Sequence, residues 1–546
     1  MSNLSQCLHA FVTQLLNGGV KHVVINPGSR NFPLIKTLVD ANKFVQLHSC
    51  VDERSAGFMA LGLAQSTNSP VGLCCTSGTA GLNYYPAIAE ALYSETPLIV
   101  LTADRPPESI DNWEGQCIRQ ENVFAQHVHA SFQTPSSFEN SDTFRSIGDS
   151  SVSQALRHKG PVHVNMPFNE TFYSDWVSKD FSVEPTFAPQ TSYDAIPDEL
   201  ANDIQKSKKI LWVNGADNTL EQDKYPNQLV VFSDVISNKT EGITYWESIL
   251  LTEEIEREDV LPDLLITTGK YVVSKRLRTF LRKANALTHW HLSEDREIPT
   301  PFHTAPRIVN CEVKHVLDQI EHLYTSTEYK MKFVALNNQV NKATQALNWE
   351  SYSEFSVFQK VYQTLPDNAI LHMSNSMPVR YVGLLSKRET IQHAANRGTS
   401  GIDGCTSTAV GYAKATDKPV FLFTGDLAFL YDVNALWQQE IPKNLKIVVF
   451  NNHGGGIFEL IEGPNKYGDT LPFQTTDHGL TMEHISLHFS IDYLHATSMI
   501  EVEKCLDVFL SATKPVILEV QTQRSENNAF FESYKKALQI VSHDDK

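Results

Sequence analysis

The chain has 546 residues, 41% hydrophobic and 20% charged, with 45 Lys and Arg against 63 Asp and Glu and a formal charge of −18 at pH 7. That composition excludes disordered and fibrous classes and suggests about three domains at roughly 100 to 200 residues each. The negative balance argues against a nucleic-acid backbone or an anionic membrane as partner, so an anionic ligand needs a local cationic pocket.

Residues 2–16 place Leu4, Leu8, Phe11, Val12, Leu15 and Leu16 on one helical face, without the basic start and unbroken apolar run of a signal peptide. No later stretch approaches the roughly 18 apolar residues of a membrane helix, so no membrane insertion is expected. The eight cysteines are scattered and form no Cys-x-x-Cys pair, which fits a reducing compartment. A cytoplasmic protein is expected.

From Lys21 to Asp104, β-branched runs at 22–26, 44–51, 70–76 and 97–104 alternate with helical patterns at Ser55–Gln65 and Ala80–Tyr93, and 161–165 adds a strand. The alternation is that of βαβ units and a mostly parallel sheet. Residues Ser174–Pro197 read as a linker. A second set of strands is predicted at 209–215, 228–234, 263–269, 286–292 and 307–313, followed by a polar helical stretch from about Thr325 to Trp349. A third set is predicted at 369–375, 391–397, 418–426, 445–452 and 514–522, with a helix over Val433–Gln439. The expected architecture is α/β, with three doubly wound parallel-sheet domains over residues 1–180, 195–325 and 350–546.

Open parallel sheets bind ligands beyond the carboxyl ends of their strands. In the first block those positions hold Ser29 and Arg30, Glu53, Thr76, Ser77 and Gly78, and Arg105; in the third they hold Ser374, Asn375 and Ser376, Arg397, Gly425 and Asp426, and Asn452. Asp426 and Asn452 lie 26 residues apart at the ends of two predicted strands, and Gly454-Gly455-Gly456 follows. A carboxylate, an amide oxygen and a backbone carbonyl are hard oxygen ligands suited to Mg²⁺, and glycines let the backbone approach a diphosphate. A Gly-Asp turn with an Asn-rich loop is also an ordinary way to leave a strand.

Gly425-Asp426 followed by Asn451-Asn452 resembles the diphosphate-and-Mg²⁺ motif of the thiamine-diphosphate enzymes, except that Leu427 stands where that motif usually has a third glycine. With Asn26 to Arg30, Thr76 to Thr79, Leu101 to Glu108, Asn396 to Gly404 and Gly425 to Asp432, the chain is similar to one branch of them, the 2-succinyl-5-enolpyruvyl-6-hydroxy-3-cyclohexene-1-carboxylate synthases of menaquinone biosynthesis, in which Gly-Asp-Leu is the rule. The resemblance implies a first domain that binds the pyrimidine, a central domain and a third that binds diphosphate and metal. It implies thiamine diphosphate with Mg²⁺ (or Mn²⁺) on Asp426, Asn452 and the Gly454 carbonyl. Thr76, Ser77, Gly78, Ser374, Asn375, Ser400, Gly401, Ile402, Gly425, Leu427, Ala428, Gly455 and Ile457 are then further cofactor contacts. Glu53 stands where the family has the glutamate that hydrogen-bonds the aminopyrimidine and assists proton removal from the thiazolium carbon.

Guanidinium groups bind carboxylates in a bidentate fork, so two polyanionic substrates in an acidic chain call for clustered arginines. By the resemblance these substrates are 2-oxoglutarate and isochorismate, bound by Ser29, Arg30, Arg105, Gln116, Lys275, Arg276, Ser376, Arg380 and Arg397, with Ile457 and Phe458 lining the pocket. Gly115 stands beside Gln116 where an amide side chain is expected. The same resemblance implies a homodimer or homotetramer with active sites at the subunit interface. Another thiamine-diphosphate decarboxylase or carboligase, and a noncatalytic anion-binding α/β protein, remain the alternatives.

Overall fold

The computed structural model describes residues 3–169, 176–185, 193–217, 222–256, 258–284, 287–294, 301–460, 463 and 466–540. The first sheet is built from β1 His22–Ile25, β2 Gln46–Ser49, β3 Val71–Cys75, β4 Leu98–Asp104, β5 Ala130–Gln133 and β6 Val162–Pro167. The second contains β7 Ile210–Asn214, β8 Val230–Ser233, β9 Leu264–Thr268, β10 Thr288–Leu292 and β11 Arg307–Val309. The third contains β12 Ile370–Met373, β13 Gln392–Ala394, β14 Val420–Gly425, β15 Leu445–Asn451, β16 Asp492–Ala496 and β17 Val516–Gln521. Pairing within all three is parallel.

The strand orders are β2-β1-β3-β4-β6-β5, β11-β10-β9-β7-β8 and β13-β12-β14-β15-β17-β16. Counted within each sheet, the first and third have the same permutation, and the second follows it without the sixth strand. In each, the chain leaves the first strand in one direction for the second and crosses back to the third. That reversal opens a crevice at the carboxyl ends of β1 and β3, of β7 and β9, and of β12 and β14, where loops from the two sides diverge. The three α/β sheets are those expected, and the central strands fall within their predicted runs, except that β6 continues past 165 to Pro167.

The edges differ from the sequence reading. Strands β5 and β16 are additional, and both are partly exposed with few apolar residues, so no unbroken run marks them. The run at 391–397 contributes only Gln392–Ala394 to the sheet. The helix expected over Val433–Gln439 is instead a helix over Asp426–Tyr431 followed by a 3-10 turn over Val433–Leu436. The helix begins at once because Asp426 supplies an acidic first residue at its positive end. The polar stretch after 325 is the Glu328–Gln345 helix, with Tyr329, Phe333, Leu336 and Val340 buried. Of the predicted linker, residues 176–185 and 193–197 have no regular structure, and 174–175 and 186–192 lie outside the described residues. Among the described residues, no helix is long and apolar enough to cross a membrane.

One buried apolar cluster joins the first sheet's Phe58, Leu61 and Ala64 to the third sheet's Val410, Ala413 and Leu422. Another joins Phe232 and Trp246 of the second to Phe355, Phe358 and Tyr381 of the third. The first joint depends on the Glu53–Thr67 and Cys405–Lys414 helices meeting backbone to backbone. A Cβ on Gly62 would lie 2.0 Å from the Thr408 carbonyl oxygen, and one on Gly411 would lie 2.0 Å from that of Met59. Neither neighbour is a flexible side chain that can yield. Gly411→Val is therefore expected to cost about 1–3 kcal/mol by overpacking and to lower the thermal midpoint by several degrees, measured by scanning calorimetry.

Candidate functional site

At the third sheet's crevice, Asp426 is 2% exposed and heads its helix. Its Oδ1 accepts from the Leu427 amide at 2.6 Å, its Oδ2 accepts from the Gly454 amide at 2.9 Å, and His478 Nε2 stands 3.3 Å from Oδ2. Burial pushes this carboxyl up, against the pull of the Gly454 and Leu427 amides and of His478. Asn452 donates from Nδ2 to Glu354 at 2.7 Å, while its Oδ1 is buried without a hydrogen-bond partner. Gly454 has φ +147, and a Cβ there would lie 2.5 Å from the Thr475 carbonyl oxygen, so only glycine makes this turn. At Gly425 a Cβ would meet nothing within 4 Å, which leaves open space beside the backbone. An orphaned amide oxygen, a buried carboxylate and an open glycine backbone fit a divalent cation with phosphate oxygens. No group of three His, Cys, Asp or Glu able to hold a metal occurs among the described residues. A ligand set of one carboxylate, one amide and one carbonyl contains no such group.

The other predicted third-block residues surround this turn. Ser374 Oγ accepts from the Gly425 amide at 3.4 Å. Asn375 is occupied internally, since Nδ2 donates to the carbonyls of Asn396 at 2.8 Å and Gly401 at 2.6 Å and Oδ1 accepts from Arg397. It thereby fixes the loop that carries Ser400, Gly401 and Ile402. Leu427, Ile402, Ile457 and Phe458 are half-buried, Ala428 is buried, and Gly455 donates to the Thr475 carbonyl at 2.7 Å.

At the first sheet's crevice, Asp52 caps the Glu53–Thr67 helix by accepting from the amides of Arg54 and Ser55. Glu53 is half-buried, and burial raises its carboxyl, with the Asp52 charge adding to the rise against its own backbone amide. Asp52 Oδ2 accepts from Asn434 at 2.7 Å, and Arg54 donates to the Tyr431 carbonyl at 2.7 Å. The residues flanking Glu53 thus hold the far end of the helix that Asp426 begins. Thr76 and Ser77 are buried with unpartnered hydroxyls. Gly78, at φ +84, donates to Gln120 at 2.7 Å, and the exposed Gln116 crosses close above it.

The cationic residues divide into two groups. Arg276 and Arg397 both act on Arg380 where the second and third sheets meet. Burial of its guanidinium surroundings and the positive charges of Arg397 and Arg276 push Arg380 down to about 10, a shift that solvent screening moderates because the residue is exposed. Burial lowers Arg397 as well, against Asp234, Tyr271 and Glu90. Arg276 pairs with Glu247 at 2.8 Å, Arg380 donates to the Ser376 carbonyl and Arg397 donates to Asn375 at 2.6 Å. Lys275 is exposed on the same helix as Arg276. Arg30 and Arg105 are held in the first domain's own loops, Arg30 on the Phe168 carbonyl at 2.8 Å and Arg105 on that of Gly115 at 3.0 Å. Ser29 beside Arg30 is exposed.

Several groups at these crevices escape sequence reasoning. Glu90, 1% exposed, accepts from the amides of Gly398 at 2.7 Å and Thr399 at 2.6 Å and from the Thr399 hydroxyl at 2.7 Å, so the first domain holds the Arg397 loop. Its signal is a lone acid in an otherwise apolar helix, Tyr85–Tyr93. Buried Asp432 accepts from the Ser407 amide at 2.6 Å and hydroxyl at 2.7 Å. It caps the Cys405–Lys414 helix, whose own N-cap residue, Gly404, has no side chain to do so. Burial pushes Asp432 up to about 7 against the Ser407 bonds. Asp432 closes the Gly425 to Asp432 motif without any local sign of its capping role, and nothing local in the sequence marks Glu354 or His478.

The description "Thiamine pyrophosphate enzyme, N-terminal TPP binding domain" belongs to a family model that matches residues 6–131, and "Middle domain of thiamine pyrophosphate" to one that matches 227–373. The 2-succinyl-5-enolpyruvyl-6-hydroxy-3-cyclohexene-1-carboxylate synthase of Flavobacterium johnsoniae is 37% identical over 543 residues, covering 95% of this chain and 96% of that protein. The synthase of the same name from Cytophaga hutchinsonii is 35% identical, covering 98% and 99%. Among solved structures, benzoylformate decarboxylase from Polynucleobacter necessarius superposes with a TM-score of 0.71 at 17% identity, covering 95% of this chain and 98% of that one. A putative thiamin diphosphate-dependent enzyme from Mycobacterium smegmatis gives 0.67 at 18%, covering 94% and 99%. At these identities the two structures speak for the fold alone.

The Asp432 cap carries a pH dependence. With a carboxyl near 7 when folded and about 3.9 when unfolded, the native state holds the extra proton between those values. The resulting stabilisation is full below about pH 4 and is lost as pH rises through about 7. Asp432→Asn keeps an acceptor for Ser407 and removes the titration. Its thermal midpoint is expected to fall less than the parent's between pH 5 and 7.5, measured by scanning fluorimetry across that range.

Proposed function

This chain belongs to the 2-succinyl-5-enolpyruvyl-6-hydroxy-3-cyclohexene-1-carboxylate synthases, and from that premise we propose how its own residues divide the work. It is a thiamine-diphosphate-dependent enzyme of menaquinone biosynthesis that decarboxylates 2-oxoglutarate and adds the remaining succinyl group to isochorismate. The observation that carries the residue assignment is the orphaned Asn452 Oδ1, two positions from the Gly454 turn that is bonded to Asp426.

Asp426, Asn452 and the Gly454 carbonyl hold Mg²⁺ or Mn²⁺, and Gly425, Leu427, Ala428, Gly455 and Ser374 border the diphosphate. Ile402 and Ile457 supply apolar support for the rings, with Ser400 and Gly401 beside them and Asn375 holding their loop. When bound, thiamine diphosphate supplies a nucleophilic thiazolium carbon and an electron sink for decarboxylation. Glu53, at the start of its helix with its carboxyl raised by burial, is the group that hydrogen-bonds a ligand ring nitrogen and exchanges a proton with it. Thr76, Ser77 and Gly78 border the same pocket.

Arg276, Arg380 and Arg397 bind substrate carboxylates, with the buried Asp234 and Glu247 limiting the repulsion among them. Arg30, Arg105, Ser29, Gln116, Lys275 and Ser376 provide further polar contacts, and Phe458 lines the apolar side. The working assembly is a homodimer or homotetramer in which the first domain of one copy completes the third-domain site of another. Tyr431, Trp437, Phe473 and Leu487, exposed on the third domain, give such an assembly apolar surface to cover.

Purified protein with thiamine diphosphate and Mg²⁺ is expected to release CO₂ from 2-oxoglutarate in step with loss of the isochorismate absorbance. Glu53→Gln is expected to lower turnover about 10²–10⁴-fold while still binding the cofactor, followed by circular dichroism. Alanine at Arg380 or Arg397 should raise KM for a dicarboxylate about tenfold or more, the loss of one charge-assisted hydrogen bond. Release of CO₂ from pyruvate with isochorismate untouched would retain the cofactor assignment and overturn the substrate roles of these arginines.

A further inference from the structure

Glu354 is 4% exposed and is the first residue of the Glu354–Thr364 helix. That helix start is held on two sides. Ser353 and Ser356 close a capping box, and the Glu354 amide donates to Asn527 Oδ1 at 2.7 Å. Asn527 is in turn tied to Thr522, just past β17, at 2.9 Å. From this anchored position the Glu354 carboxylate accepts from Asn452 Nδ2 at 2.7 Å and also bonds the Tyr381 hydroxyl. Tyr381 is itself buried and stacked on Phe355 with ring centroids 4.5 Å apart.

A side-chain amide has nearly the same shape after a half-turn, but its two ends carry opposite polarity. An Asn452 side chain turned the wrong way would present an NH₂ group to a cation. A carboxyl oxygen fixed beside one end of the amide selects the orientation, because it accepts from the NH₂ group and has no attraction for the amide oxygen. The NH₂ group goes to Glu354, and Oδ1 is left buried without a partner.

We propose that Glu354 is a positioning residue that turns the Asn452 amide so that its oxygen is offered to the divalent cation. The inference rests on the reading of Asn452 as a metal ligand. A glutamate that served only as the acidic first residue of its helix would affect stability without selecting an amide orientation.

The test titrates Mn²⁺ into the purified full-length protein with saturating thiamine diphosphate, with free Mn²⁺ read by electron paramagnetic resonance. Glu354→Gln still offers an oxygen to Asn452 and should bind Mn²⁺ within about threefold of the parent. Glu354→Met, similar in length but without a strong acceptor, should bind about 10–100-fold more weakly, the usual loss when a metal ligand's supporting partner is removed. Asn452→Ala should be equally weak, and combining it with Glu354→Met should add little.

A charge exchange tests the same contact without an apolar replacement. Asn452→Asp sets two carboxylates against each other and should bind weakly, and adding Glu354→Gln should restore binding. Parental affinity in Glu354→Met, or no restoration in the exchange, overturns the role of Glu354. Parental affinity in Asn452→Ala overturns instead the assignment of Asn452 as ligand.

Discussion

The close crossing of the Glu53–Thr67 and Cys405–Lys414 helices is the constraint that fixes the first and third domains of one chain against each other. At Gly62 and Gly411 the two backbones come within the distance a single Cβ would occupy. Helices that approach so closely have little freedom to slide, so the start of one is placed relative to the start of the other. Glu53 opens the first helix, and Gly404, at the end of the loop that carries Arg397 and Ile402, precedes the second. The polar bonds from Asp52 and Arg54 to Asn434 and Tyr431 then fasten the end of the Asp426 helix to the same crossing. Packing sets the distance, and hydrogen bonds set the direction.

A second principle is the use of buried acids as internal ligands. Glu90, Asp234, Glu247, Glu354 and Asp432 are all under 9% exposed. A buried charge without partners is very unfavourable, so each of these carboxylates has found donors. Glu90 and Asp432 take backbone amides from loops and helix starts of the third domain. Asp234 and Glu247 sit behind Arg397 and Arg276, which allows three guanidinium groups to share one crevice in a chain whose overall charge is negative. The local field around these guanidinium groups is therefore opposite in sign to the field of the whole molecule.

The three sheets share a strand order that no similarity of residues announces. Their parallel central strands are legible because they are buried on both faces and carry apolar runs, as at 98–101 and 447–450. The edge strands β5 and β16 face solvent in part, need fewer apolar residues and left no such run. The helix after Gly425 was misplaced for a related reason. Its beginning is governed by Asp426 and the turn beneath it, whereas periodicity drew attention to the apolar residues that come later.

The sequence by itself determined the α/β class, the three sheets, and the positions just after strands where chemistry would gather, because strand periodicity and turn residues are local properties of the chain. It also carried the motifs at Glu53, Asp426 and Asn452 that mark the family. Tertiary structure alone decided which of the arginines come together, since Arg276 and Arg397 both reach Arg380 only through the packing of two sheets. It alone decided that Glu354 meets Asn452, 98 positions away in the chain, and that Glu90 meets Thr399, 309 positions away. Such partners are separated in the chain and carry no periodicity, so their identity resides in the closed fold, where a buried polar group must find a complement.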